Sequence, residues 1–563
     1  MSTVWILLAI LFLSSVVVSF KKRRDERLHR IRATWAKPID HTRPMAALAE
    51  SHASRIDVTG GSASVDQRTW TDLNLDDVFV AIDRTTSTLG QHALYHRLRT
   101  ASPADQLEIF ESLTEGFRSD TRMRERAQVA LDRLQDPQGY DVWWMGKPGA
   151  VEGRQWYVVF PVLTAAALVS IALAPLWPGA LLMMLVINLP MRYVTDRRIG
   201  AIASSIRQCA PLIGAAGSLR FMAGDGVEPL ASVLREDVPR LTRLKWISSW
   251  ANGNPFMVSF DSSQLSIMFS DLVSVLYEYF NLFLLLDATG VYFGVRDLRA
   301  HRVSLLRVIA VIGDIDAAIS VASYREGRDD WTRPQFRSEG TITLTDLRHP
   351  LIDDAVPNSI VLRAGGGALV TGSNMSGKST FLRTVGVNAI LAQALNTCLA
   401  REYTGPRFVV RSCIGRSDDL LAGKSYYIVE VEALLGLVRL SESDRPHLFL
   451  LDELFRGTNA IERIAAGQGV LQELVEGEHS ATPHVVVAAT HDGELVGLLG
   501  SAYDAYHFGD SLSPGGLVFD HRLNPGPATT RTAIALLAQH GAPQRLLTRA
   551  KATAAMLDRQ RNH

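Results

Sequence analysis

The run Ala368-Leu-Val-Thr-Gly372-Ser373-Asn374-Met375-Ser376-Gly377-Lys378-Ser379-Thr380 restricts the fold of this chain more than any other stretch. It fits the pattern G-x-x-x-x-G-K-[ST], which works only as a strand, a tight loop and a helix in that order. The context agrees: Ala368–Thr371 is a short apolar strand, and Phe381–Ala394 has helical spacing. Glycine lets such a loop wrap an anion with its N–H groups pointing inward, at the positive end of the following helix. Residues 372–380 are therefore candidate nucleotide contacts, with Lys378 on the outer phosphates and Ser379 offering a hydroxyl to Mg²⁺.

Two later segments complete a candidate site. His447-Leu-Phe-Leu-Leu-Asp452-Glu453 is an apolar run ending in two carboxylates. Asp452 is the expected Mg²⁺ ligand and Glu453 the expected general base for an attacking water. Thr490-His491 follows the run Val485–Ala489, which places His491 at another strand end as a candidate for the γ-phosphate or the water. From Gly340 onward, short β-branched runs (Thr341–Leu344, Ala368–Thr371, Phe408–Val410, Leu448–Leu451, Val485–Ala489) alternate with helical stretches. That alternation predicts an α/β domain with a mostly parallel sheet.

The rest of the 563 residues read differently. At about 150 residues per domain the chain holds more than one core. Hydrophobic residues make up 47% and the mean hydropathy is +0.08, high enough to place some apolar content in membrane segments. Val4–Phe20 carries no charge and is followed at once by Lys21, Lys22, Arg23 and Arg24. Positive charge after the apolar run predicts an anchor over 1–20, with the remainder in the cytoplasm. Gln155–Met191 is also uncharged, breaks at Pro175-Leu-Trp-Pro178-Gly179, and has Arg154 before it and Arg192, Arg197 and Arg198 after it. This predicts a membrane helical hairpin over 155–194 with both ends in the cytoplasm, spanning or, given its short second arm, re-entrant, hence a multi-pass protein of the inner (cytoplasmic) membrane. The apolar patch Tyr279–Val295 is bordered and interrupted by Glu278 and Asp287, and is expected to be a buried helix of a water-soluble domain.

The remaining boundaries follow from composition. Residues 21–70 read as a cytoplasmic tether, 71–150 and 197–335 as two parts of an all-α core, 338–550 as the ATPase domain and 551–563 as a tail. Lys plus Arg is 58 and Asp plus Glu is 58, so no global field draws nucleic acid to the chain. Cys209, Cys398 and Cys413 are isolated, which argues against a disulfide scaffold and a structural zinc site.

Taken together, the motifs resemble those of the MutS family of ATPases. Gly372–Thr380 is similar to its GPNMSGKST loop, with Ser373 in place of Pro. Leu451–Thr458 is similar to LDELGRGT, with Phe455 in place of Gly. Ile414–Glu430 resembles the signature segment IGASDDLASGQSTFMVEM, Ala489–Leu495 resembles ATHYHEL, and Leu523–Ala528 resembles L-x-PGPA. Ala81-Ile-Asp-Arg-Thr85 with Leu89-Gly90 looks like the opening of the family's helical core. The resemblance implies an ABC-type P-loop ATPase domain behind a MutS-like helical core, with ATP and Mg²⁺ as cofactors. It also implies a head-to-tail homodimer in which Ser425 reaches the partner's γ-phosphate.

DNA is the partner the family implies. Residues 21–70 leave no room for the family's mismatch-reading domain, and 197–325 holds no polar insert of the size of its DNA clamp. Two functions are therefore in view: a membrane-anchored ATPase switch linked to mismatch repair or DNA processing, and a membrane-bound switch acting on protein partners without DNA. Intact Lys378, Ser379, Asp452, Glu453 and His491 argue against a clamp that binds ATP without turnover.

Overall fold

The computed structural model describes residues 21–22, 24–60, 65–134, 155–224, 226–251, 277–337, 341–373, 375–414, 426–476, 483–513, 516–527 and 533–561, with positions 143, 145, 147 and 275. The expected anchor over 1–20, the loop residue Asn374 and the signature residue Ser425 lie outside the described residues. The chain divides into two compact units. One comprises 1–62, 82–97 and 103–328, the other 63–81, 98–102 and 329–563.

The first unit is helical. Its main helices include α1 (Ala104–Ser119), α2 (Val159–Leu173), α3 (Gly179–Leu219), α4 (Leu286–Ala300) and α5 (Arg302–Glu326). α5 is enclosed along most of its length, from Ser304 to Arg325. Polar groups on it are paired accordingly. Arg325 is fully buried and grips Glu111 of α1 through two bonds of 2.9 and 2.7 Å. Asp316 accepts from the N–H groups of Thr86 and Ser87 and from the Ser87 hydroxyl. A Cβ on Gly90 would lie 2.2 Å from Asp316 Oδ2, so close approach requires glycine there.

The stretch read as a tether is instead folded. Residues 24–34 and Met45–Thr59 are helical, Leu48 is wholly buried, and Arg32 forms an ion pair with Glu125 at 2.6 Å. Its basic composition serves surface ion pairs rather than a loose linker.

The hairpin pattern is present as α2, a turn at Pro175–Pro178, and α3, but the second arm does not end at Met191. It runs on to Leu219 as one helix of 41 residues. One described helix, Gln155–Leu173, is long and apolar enough to cross a membrane, and 22% of it is buried; the apolar start of α3, Gly179–Tyr193, is shorter. Val162, Leu168, Val169, Leu176, Leu182 and Val186 are exposed.

The buried helix expected over Tyr279–Val295 is corrected by the structure. Residues 277–284 are helical, Leu285 breaks the helix at φ 49°, and α4 follows. Tyr279 and Phe280 are 68% and 58% exposed, and with Phe283 they join Ile171, Leu181 and Leu185 in one apolar groove of about 720 Å³. The carbonyls released by the break are satisfied from the hairpin: Asn188 donates to Phe283 O at 2.6 Å and Thr164 to Leu284 O at 2.6 Å.

The second unit is an α/β domain. A six-stranded sheet runs β10-β9-β4-β8-β7-β6, with β4 Gly366–Thr371, β6 Val409–Cys413, β7 His447–Asp452, β8 Val485–Ala489, β9 Tyr503–Ser513 and β10 Gly516–Pro525. All neighbours are parallel except β9 with β10. β4, β7 and β8 are buried along nearly their whole length, which is why they read as continuous apolar runs. A smaller sheet orders β1 Gln335–Phe336, β5 Glu402–Gly405, β2 Thr341–Leu347 and β3 Asn358–Arg363. Helices α6 (Lys378–Leu395), α7 (Tyr426–Leu440) and α8 (Ala460–Glu476) connect the main strands.

Residues 63–81, divided in the sequence reading between the tether and the helical core, belong to this unit. Asp72, ending the short helix Gln67–Asp72, accepts from the Ser412 hydroxyl and the Ile414 N–H, and Leu73 lies beneath Gly386 of α6. The expected tail at 551–563 begins inside the helix Gln544–Arg561.

Candidate functional site

The site forms because parallel strands end together. The register pairs Val370 with Ala489 and Asp452 with Ala489, so the loops after β4, β7 and β8 leave one edge of the sheet. Backbone bonds tie these exits: Thr490 N–H donates to Val370 O and Glu453 N–H to Ala489 O. Ligands of such sheets bind beyond the carboxyl ends of the strands.

The loop after β4 has the expected backbone. Gly372 sits at φ 142° and Gly377 at φ 116°, in regions open to glycine, and Met375 at φ 70°. A Cβ at Gly372 would come within 3.0 Å of Phe508 O. Helix α6 then starts at Lys378, its first N–H groups facing the loop. The loop lines a cavity of about 550 Å³, whose far wall carries His349, Ile352 and Val356 from the segment after β2.

Lys378 is buried. Its ammonium donates to Gly372 O and Ser373 O at 2.9 Å each and stands 3.3 Å from His491 Nε2. Burial, with Arg456 nearby, pushes its pKa down to about 8, although Asp452 pulls the other way. The Ser379 hydroxyl donates to Asp452 Oδ2 at 2.5 Å, while Asp452 Oδ1 is buried without a hydrogen-bond partner. A hydroxyl and a carboxylate with one open oxygen form a hard oxygen donor pair, which fits Mg²⁺.

Glu453 Oε1 lies 2.8 Å from His491 Nε2, and its other oxygen is ion-paired with Arg456. Burial, and then the charges of Lys378 and Arg456, lower the His491 pKa, so the imidazole is neutral at physiological pH. Asp492 is held by a two-bond pair with Arg463 at 2.8 and 2.6 Å, which fixes the chain beside His491.

The structure thus brings Gly372, Ser373, Ser376, Gly377, Lys378, Ser379, Asp452, Glu453 and His491 to one sheet edge, with Met375 and Thr380 on the cavity wall. Met375 is 84% exposed. Two groups had no role in the sequence reading. Arg456 follows Glu453 by three residues and pairs with it, and Glu430 accepts from the backbone of Phe455 at 2.7 Å. The signals were a basic residue three positions past the second carboxylate and an acid among the apolar residues at the start of a helix.

Comparison with known proteins agrees with this geometry. Residues 368–558 match MutS domain V, an ATPase-type domain. The chain is 34% identical over 269 residues to the DNA mismatch repair protein MutS of Thermus aquaticus, covering 46% of this chain and 32% of that protein. It is 36% identical over 250 residues to the same-named protein of Thermus thermophilus, covering 44% and 29%. It is 30% identical over 271 residues to the DNA mismatch repair protein MutS 2 of Halobacterium salinarum, covering 46% and 30%. The chain therefore spans about a third of the length of the relatives it matches. The likeness to the MutS family is thus carried by the C-terminal domain, residues 368–558.

Proposed function

We propose that this chain hydrolyses ATP with Mg²⁺ and works as a membrane-attached dimer switch. The observation that carries the hydrolysis reading is the convergence of Lys378, the Ser379–Asp452 pair and the Glu453–His491 pair on one loop.

Each residue has work that follows from its surroundings. Lys378 exchanges the carbonyls of Gly372 and Ser373 for phosphate oxygens, which compete well for an ammonium in a dry pocket. Ser379 and Asp452 are the residues that would hold Mg²⁺. When bound, the ion neutralises charge developing on the phosphates. Glu453 takes a proton from the attacking water, which requires that Arg456 release it. Neutral His491 donates from Nε2 to Glu453 and holds the carboxylate toward the phosphates.

The dimer reading rests on the resemblance of residues 414–430 to the family's signature segment. Two half-sites make ATP a glue and hydrolysis a release, so Glu453→Ala should retain ATP and accumulate as a dimer by light scattering. Turnover at the unaltered rate would refute the assignment of the base.

The membrane reading rests on the uncharged stretch 155–191 and on the exposed apolar residues of α2 and α3. It also rests on Arg192, paired with Glu278 at 2.7 Å where the apolar surface ends. We place the ATPase domain on the cytoplasmic face of the inner membrane.

DNA processing is the reading carried by relatives named for mismatch repair. A switch acting on proteins instead is favoured by one observation, the balance of 58 basic and 58 acidic residues. ATPase rate with and without duplex, mismatched and branched DNA separates the two. Stimulation that fades with salt supports DNA, and an unchanged rate with no salt-sensitive binding removes it.

A further inference from the structure

The turn that carries Glu453 is held in a costly shape. Glu453 has φ 50° and Phe455 has φ 57°, so two side-chain-bearing residues within three positions occupy the left-handed region. For a residue with a Cβ this region is disfavoured against the right-handed alternative. Such a turn persists only where its surroundings dictate it.

At Phe455 two of the contacts that hold this shape come from α7. The Phe455 N–H donates to Glu430 Oε1 at 2.7 Å, and Glu430 is buried. The Phe455 ring, itself buried, faces the Tyr427 ring with centroids 6.5 Å apart. Tyr427 also covers the next corner: a Cβ on Gly457 would lie 3.2 Å from its ring. Glycine at position 455 would adopt this φ freely, so a phenylalanine makes the turn depend on α7 for its shape. Helix α7 begins at Tyr426, immediately after Ser425.

We infer that Glu430 is a positioning residue for hydrolysis, setting the place of Glu453 through the Phe455 N–H, with Tyr427 as its support. This deepens the ATPase reading and rests on Glu453 as the general base. The helix that follows Ser425 then holds the base of its own subunit.

The test uses the full chain in detergent, with a fluorescent ATP analogue for affinity and a single-turnover assay for hydrolysis. Glu430→Ala should slow hydrolysis by roughly ten- to a hundredfold, the scale of a small misplacement of a catalytic group. Affinity for the analogue should change by less than about twofold, because no phosphate or Mg²⁺ contact is lost. Glu430→Gln, whose amide oxygen can accept the same N–H, should recover most of the rate. Tyr427→Ala, at a position 38% exposed, should slow hydrolysis in the same affinity-neutral way.

A purely structural role would lower affinity and rate together and would not be rescued by Gln, and that outcome overturns the inference. So does hydrolysis at the unaltered rate in Glu430→Ala. If Glu430→Ala does not fold, Tyr427→Ala decides alone, and an unchanged rate there is fatal. If the unsubstituted chain binds the analogue and never hydrolyses it, the ATPase reading falls, and the inference with it.

Discussion

Lys378 offers a test that needs no assumption about catalysis. Without nucleotide its ammonium is buried against two carbonyls, with Arg456 near, and its pKa falls from 10.5 to about 8. Phosphate oxyanions favour the charged form, so ATP binding returns the pKa toward its ordinary value. The sign follows: ATP binding takes up protons, and affinity falls as pH rises through about 8. At about pH 8 half of the nucleotide-free molecules lack the proton, so uptake is about 0.5 proton per ATP. Between about pH 7 and pH 9 the apparent Kd rises about tenfold, or about 1.4 kcal/mol. Calorimetry in buffers of different ionisation enthalpy measures the uptake, and titration across the pH range measures the affinity. His491 and the γ-phosphate titrate below this window. Lys378→Ala should bind weakly and without the pH dependence. A flat affinity in the unsubstituted chain, with no proton uptake, would refute the reasoning that this lysine is a desolvated phosphate ligand.

Three further outcomes are expected. In the proposed dimer, Ser425→Ala mixed with Lys378→Ala should leave one working site in mixed dimers, so activity recovers above the sum of the separate variants; strictly additive rates would exclude a shared site. Leu182→Cys and Phe280→Cys, labelled with a polarity-sensitive dye in phosphatidylcholine–phosphatidylglycerol vesicles, should be quenched by lipid-borne quenchers and shielded from iodide, whereas a label at Val518→Cys on the second unit should show the reverse; the native cysteines are buried and stay unlabelled. Asp316 is raised from 3.8 to about 6, chiefly by burial, with Asp83 adding to it and the Thr86 and Ser87 hydrogen bonds opposing. A raised acid contributes stability that is present below about pH 4 and lost as pH climbs through about 6, worth about 3 kcal/mol. Asp316→Asn should flatten that part of the unfolding profile, and a difference from the parent that is constant with pH would count against it.

The candidate site was legible because burial and chemistry coincide there. β4, β7 and β8 are enclosed on both faces, so their residues form unbroken apolar runs, and each run stops where the chain turns polar at the shared sheet edge. Asp452, Glu453 and His491 are those stops. The strands β3, β5, β9 and β10 were not expected, since short or partly solvated strands carry no continuous run. Tertiary pairing decided the placement of 63–81: nothing near Asp72 in sequence announces that its carboxylate will cap Ser412 and Ile414. Local composition also misplaced Tyr279 and Phe280. Glu278 and Asp287 argued for a water-soluble interior, yet their charges are taken up by Arg192 and Arg207.

The turn from Glu453 to Gly457 shows why departures from a motif can be more informative than matches. Where the family resemblance has glycine, this chain has Phe455, and a backbone that glycine would adopt freely becomes one that must be imposed. The imposing contact comes from α7, an element far from the turn in sequence and next to the segment read as serving the partner's nucleotide. Phe455→Gly separates cost from benefit. It removes the strain and the ring contact but keeps the N–H for Glu430. If α7 acts only to offset that strain, Phe455→Gly should hydrolyse ATP as the unsubstituted chain does and survive Glu430→Ala in the double variant. If α7 also sets the position of Glu453, Phe455→Gly should stay active alone yet lose activity when Glu430→Ala is added. The double-variant cycle reads that coupling directly.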